Sequence, residues 1–157
     1  MVKEQMLPGK TYMIYSRIHT GSESIVASLQ DCIQKKICLM DYEMMRDPTT
    51  QQICVGSSKL AGTVGMFDCF RAIGELLLLR KRLNTPFLFT GGTAYMHEDK
   101  STCERDLKRV GELIETQGLP ASISPFVIGI AGNGLVSQGA KELVKACLPF
   151  EQVESIE

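Results

Sequence analysis

The stretch Phe126-Val127-Ile128-Gly129-Ile130-Ala131-Gly132-Asn133-Gly134 constrains this chain more than any other. The apolar residues around Gly129 read as a buried strand. A glycine-rich turn follows at once, and residues 141–147 read as a helix. Strand, glycine turn and helix in that order open a dinucleotide-binding unit. In such a unit Gly132 makes the tight turn, and Gly134 lets backbone N–H groups approach a pyrophosphate at the helix N-terminus. Ser137 stands where the pattern would have its third glycine, and Gly139 comes two residues later. A ribose-reading side chain is expected about 20 residues beyond the turn, and Glu151 and Glu154 fall near that spacing. With the sequence ending at Glu157, residues 126–157 are expected to be the truncated start of a dinucleotide-binding domain, behind an α/β region over 1–125.

Bulk properties narrow the rest. A chain of 157 residues with 44% hydrophobic and 22% charged residues has the composition of a globular domain. A net charge of −1 and the absence of Trp argue against nucleic acid as a partner. The longest apolar run, Leu76-Leu77-Leu78-Leu79, is far too short to span a bilayer, so no membrane partner is expected. The first residues carry neither a signal-peptide core nor an arginine-rich amphipathic pattern, and the expected location is intracellular and cytoplasmic. None of the six cysteines forms a Cys-x-x-Cys pair, and neither His19 nor His97 lies at zinc-ligand spacing from one. Buried, reduced thiols and no metal site are the expectation.

Taken in order, residues 11–16 are β-prone after Pro8-Gly9. Ser22 is a fitting N-cap for a helix with Ile25, Val26, Leu29, Cys32 and Ile33 on one stripe. Residues 37–40 form a second short strand, apolar throughout and expected to be buried on both faces. Asp41-Tyr42-Glu43 closes it at the carboxyl edge, where α/β sheets bind ligands. After a polar turn at Arg46-Asp47-Pro48-Thr49-Thr50, a long helix is expected over 59–83. Its Gly62, Gly65 and Gly74 are read as points of close packing. Residues 87–90 are a further candidate strand, and 98–117 a charged surface helix with Leu107, Val110, Leu113 and Ile114 inward. Strands alternating with helices give an α/β fold with a mostly parallel sheet.

The accumulated pieces resemble the lysine–2-oxoglutarate reductase portion of α-aminoadipic semialdehyde synthase. They are more distantly similar to saccharopine dehydrogenases and to the N-terminal domain of alanine dehydrogenase and transhydrogenase. The matching segments are Lys10-Thr11-Tyr12, Asp41-Tyr42-Glu43, Ala61-Gly62-Thr63-Val64-Gly65-Met66, Thr85-Pro86-Phe87 and the run from Gly132 to Ala140. The tail from Leu148 to Glu154 follows too, so the likeness extends over nearly the whole chain. It implies a three-layer, flavodoxin-like or Rossmann-like sheet with flanking helices, followed by the first β-α unit of the dinucleotide domain.

The resemblance also implies a reaction. The ε-amine of lysine condenses with the ketone of 2-oxoglutarate, and NADPH reduces the imine to saccharopine. Similar enzymes use a lysine in a Val-Lys-Glu-like segment, which falls on Lys3, and an acidic residue that falls on Glu43. Their histidine position falls on Arg17. A guanidinium does not exchange protons near neutral pH, but it can clamp a carboxylate. His19 lies two residues on, and in an extended segment it would share a face with Arg17. Gly132, Gly134, Ser137 and Gly139 are the implied cofactor-binding positions. Gln51-Gln52 stands where the family carries an arginine, and the histidine-containing pattern near His97 is absent, so His97 takes no role. The alternative to catalysis is a non-catalytic ligand-binding or interaction module on the same scaffold. A homo-oligomer, or association with the remainder of a longer enzyme, is a further expectation. A mitochondrial location is expected if the chain is part of the animal enzyme.

Overall fold

The computed structural model describes residues 6–153. The chain forms two compact units, which meet in sequence between Gly56 and Ser57.

The first unit is a small βαβ arrangement. Strand β1 (Thr11–Ile14) leads through helix α1 (Glu23–Gln34) to strand β2 (Cys38–Asp41). The strands pair in parallel, with Thr11 opposite Cys38 and Ile14 opposite Asp41. Parallel neighbours need such a crossover, and a helix supplies it. Ser22 is the residue before α1, as its type suggests, although its side chain makes no capping hydrogen bond. Cys32 on α1 is buried. Val26 and Ile33, expected on the same inward stripe, are 43% and 67% exposed. β2 is likewise not buried on both faces, since exposed and half-buried residues alternate along it. A two-stranded ribbon has an unpaired edge on each side and too little covering mass to bury every side chain. Beyond β2, Arg46 and Ile53 form an antiparallel bridge around a turn in which Asp47 accepts the N–H groups of Thr49 and Thr50.

The second unit is helical. Helices α2 (Ser58–Lys81), α3 (Lys100–Gln117) and α4 (Leu135–Cys147) surround a core of Phe67 and Phe70 from α2, Phe87, Leu107 and Val110 from α3, and Leu143 and Val144 from α4. Phe70 and Phe87 stack with ring centroids 5.4 Å apart. Asp99 caps α3 reciprocally: its carboxylate accepts the Thr102 N–H at 2.8 Å, and its own N–H donates to the Thr102 hydroxyl. The inward stripe was visible in the charged segment, whereas the Asp99 cap was not singled out there.

Two expected strands are absent here. Residues 87–90 fall largely within a 3-10 turn over Pro86–Phe89. Pro86 has no N–H to give a ladder, and Thr85 O accepts the Leu88 N–H to close the turn. Residues 126–130 pair with no strand among the described residues. Val127 and Ile128 are 57% and 39% exposed rather than buried. A backbone of this kind becomes a strand only beside a neighbour that takes up its N–H and C=O groups, and the described residues of this unit offer none. The mixed α/β character therefore rests on one βαβ unit and a separate helical unit. No described helix is long and apolar enough to cross a membrane.

Candidate functional site

In the first unit, the carboxyl ends of β1 and β2 gather three of the residues singled out from sequence. Glu43 sits in a single 3-10 turn over Tyr42–Met44 that follows β2 directly. Its Oε2 accepts the backbone N–H of Arg17 at 2.9 Å and lies 3.6 Å from His19 Nδ1. Arg17 and His19 do not lie on an extended segment. Arg17 adopts a left-handed conformation, and Ile18–Thr20 is a 3-10 turn closed by the Thr20 N–H on Arg17 O. That turn, rather than strand alternation, carries the His19 ring to the Glu43 carboxylate. The Glu43 side chain is mostly buried, with 15% exposure against 47% for His19. The carboxylate is thereby shielded on the protein side, and the imidazole remains open to solvent. Lys3 lies outside the described residues.

Sequence reasoning missed two residues beneath this cluster. Asp41 Oδ1 accepts the Glu43 N–H at 2.9 Å and the Ser16 N–H at 3.4 Å, while Oδ2 takes the hydroxyl of Ser16. Burial pushes the Asp41 carboxyl up, but the Ser16 and Glu43 hydrogen bonds and the nearby His19 outweigh it, leaving Asp41 below its ordinary value. The available signal was position: Asp41 ends β2, two residues before Glu43, where an aspartate side chain readily caps the following turn.

The second unit holds the glycine turn. Gly132 has φ +88°, a conformation that favours glycine, and Gly134 is the N-cap of α4 without any side-chain cap. Side chains from α4 reach back to the turn's carbonyls: Ser137 Oγ donates to Gly134 O, Gln138 Nε2 to Asn133 O and Lys141 Nζ to Gly132 O. Ser137 is thus buried and turned inward, bracing the turn. Gly139 lies against α2, where an added Cβ would overlap Lys59 O; at Gly62 it would overlap Val136 O. These two glycines let the helix backbones touch, and Thr63 Oγ1 bridges them through Lys59 O and Gly139 O.

Space is open in front of Gly132 and Gly134. They border an open groove of about 630 Å³ between the start of α2 and the turn, whose described lining residues carry no charged side chain. The first N–H groups of α4 have no partner within the helix, and the macrodipole favours an anion there. An uncharged, mostly apolar groove ending at a helix N-terminus is chemically suited to an anion flanked by a planar ring. Among its described lining residues there is no cation for a further phosphate.

His97 belongs to the core of this unit. Its ring lies edge-on to Phe67 and is held by Thr93 O at 2.9 Å and Asp106 Oδ2 at 3.2 Å. No group of His, Cys, Asp and Glu side chains among the described residues is arranged to hold a metal ion. All six cysteines are free, but Cys38, Cys54 and Cys69 are exposed, against the expectation of uniformly buried thiols.

No protein-family model matches the chain. Curated proteins do. The chain is 32% identical over 151 residues to alpha-aminoadipic semialdehyde synthase of Arabidopsis thaliana, covering 96% of this chain and 14% of that protein. It is 32% identical over 152 residues to the mitochondrial alpha-aminoadipic semialdehyde synthase of Rattus norvegicus, covering 97% and 16% respectively. The counterpart from Bos taurus, also named mitochondrial, is 30% identical with the same coverage. The chain spans about one-seventh of the length of these relatives.

Proposed function

We propose that this chain, homologous along nearly its whole length to one region of alpha-aminoadipic semialdehyde synthase, is a lysine–2-oxoglutarate reductase region. It would join part of a substrate-binding, three-layer α/β fold to the start of a dinucleotide-binding domain. The observation that carries the proposal is the meeting of Arg17, His19 and Glu43 at the carboxyl ends of two parallel strands, the edge at which α/β sheets bind ligands.

The residues divide the work by their chemistry. The Arg17 guanidinium is exposed and suits a substrate carboxylate through paired N–H bonds. Condensation of an amine with a ketone expels water and needs a proton for the departing oxygen. An imidazole changes charge near neutral pH, and Glu43 holds that of His19 from one side. Lys3 would be a second proton carrier. NADPH, when bound, supplies the hydride that reduces the imine to saccharopine. Its pyrophosphate would lie at the N-terminus of α4 beside Gly132 and Gly134, with Ser137 and Gly139 holding the shape of that turn and its seat on α2.

The test is NADPH oxidation by the pure chain in the presence of lysine and 2-oxoglutarate. Oxidation that requires both substrates is expected. Absence of turnover, together with no calorimetric heat from lysine, 2-oxoglutarate or saccharopine, would overturn the proposal. Arg17 favours a second reading, a non-catalytic ligand-binding module, because a guanidinium does not shuttle protons. That reading predicts heat with a dicarboxylate ligand and no turnover.

A further inference from the structure

We propose that Asp41 and Ser16 are positioning residues that hold Glu43 and the Arg17–His19 turn in one geometry. The inference rests on the reading of this cluster as the substrate site. Asp41 touches both turns at once. Through Oδ1 it fixes the backbone of Glu43, at the start of the turn after β2. Through Ser16 it fixes the turn after β1: the hydroxyl donates to Asp41 Oδ2 and accepts the Ile18 N–H at 3.1 Å. Ser16 is 8% exposed, so its hydroxyl exchanges few of these bonds for water. Glu43 then closes the circuit from above by accepting the Arg17 N–H.

The consequence is a shared register. Ile14 and Asp41 are paired at the ends of the two strands, and beyond them the ladder stops. Without the aspartate, the two turns would be joined only through the contacts of Glu43 with the Arg17 N–H and the solvent-open His19, and the separation of His19 from Glu43 would no longer be fixed. Site geometry must hold to a fraction of an ångström for efficient chemistry, which gives the part-buried serine–aspartate pair directly beneath the cluster a clear role.

Amide hydrogen exchange by NMR on the 157-residue chain tests this without any ligand. Asp41→Asn and Ser16→Ala should each raise exchange at the Arg17 amide by about tenfold, the loss of one hydrogen bond. The β1–β2 ladder amides should keep their protection, and Ser16→Thr, which retains the hydroxyl, should restore Arg17. Uniform loss of protection across the first unit would assign the pair to the fold alone and overturn the proposal. So would an Arg17 amide that does not respond. Calorimetry with 2-oxoglutarate on the unsubstituted chain separates the two ideas: no heat removes the substrate-site reading, while the exchange result still decides whether the pair fixes the turns.

Discussion

Glu43 takes hold of Arg17 by its backbone: the carboxylate accepts the main-chain N–H at 2.9 Å, and the guanidinium has no part in the contact. The side chain at position 17 is therefore free to change without breaking the link between the two turns. The backbone there has φ +57°, a region in which histidine is several-fold enriched among non-glycine residues.

Replacing Arg17 by His should consequently leave the fold intact, with a thermal midpoint within about 2 °C of the original. It places a second imidazole beside Glu43. If proton transfer limits the reaction, lysine-dependent NADPH oxidation should rise by about a hundredfold. Calorimetric melting and a coupled substrate assay check the two halves. An unchanged rate would show that imidazole at this position is not what limits turnover.

The contact of α2 with α4 gives a contrast among glycines. Gly139→Ala and Gly62→Ala each drive a methyl group into a backbone carbonyl of the facing helix, and each should cost about 2–4 kcal/mol. Gly65→Ala meets nothing within 4 Å and should gain about 0.5–1 kcal/mol from helix propensity. Urea titrations of the three variants would measure this, and equal effects would refute the packing account.

Asp41 predicts an acid-sensitive fold. Its folded carboxyl lies below the ordinary 3.8, so it contributes stability above that value. The contribution is lost as pH falls through the lower, folded value. Asp41→Asn should flatten the fall of the urea midpoint below about pH 4. Some slope will remain, because hydrogen bonds at Asp47 and Asp99 lower those carboxyls too.

The thiols should separate into two classes. Burial, with Asp68 and Asp106 nearby, pushes the Cys103 thiol up, and burial with Glu104 does the same at Cys147. Thiolate is the reactive form. An aromatic disulfide reagent should modify the exposed Cys38, Cys54 and Cys69 first. Cys32, Cys103 and Cys147 should follow only on addition of denaturant.

The helices and the βαβ unit were legible because their signals are local. The α1 stripe, the α3 stripe and the apolar pieces at the two strands each sit within a few residues or turns. Glu43 was legible as well, since the end of a strand is a position in sequence. The failures share one cause. Residues 87–90 and 126–130 are apolar and β-prone, yet a strand needs a partner, and partners are set by distant parts of the chain. An extended segment would have put His19 on the face of Arg17, and the left-handed Arg17 put it in a turn instead.

The sequence by itself placed the first three helices, the turn at Gly132–Gly134 and the acidic end of β2, while the last helix, read over 141–147, begins already at Leu135. These follow from local backbone preferences and from the spacing of apolar side chains. Only the tertiary structure decided that Gly139 seats α4 on α2 and that Ser137 braces the turn from within. It alone brought Asp41 and Ser16 together under Glu43. The contacts of Gly139 with Lys59 and of Asp41 with Ser16 join residues far apart along the chain, and the space between them is fixed by packing and by the pairing of hydrogen-bonding groups.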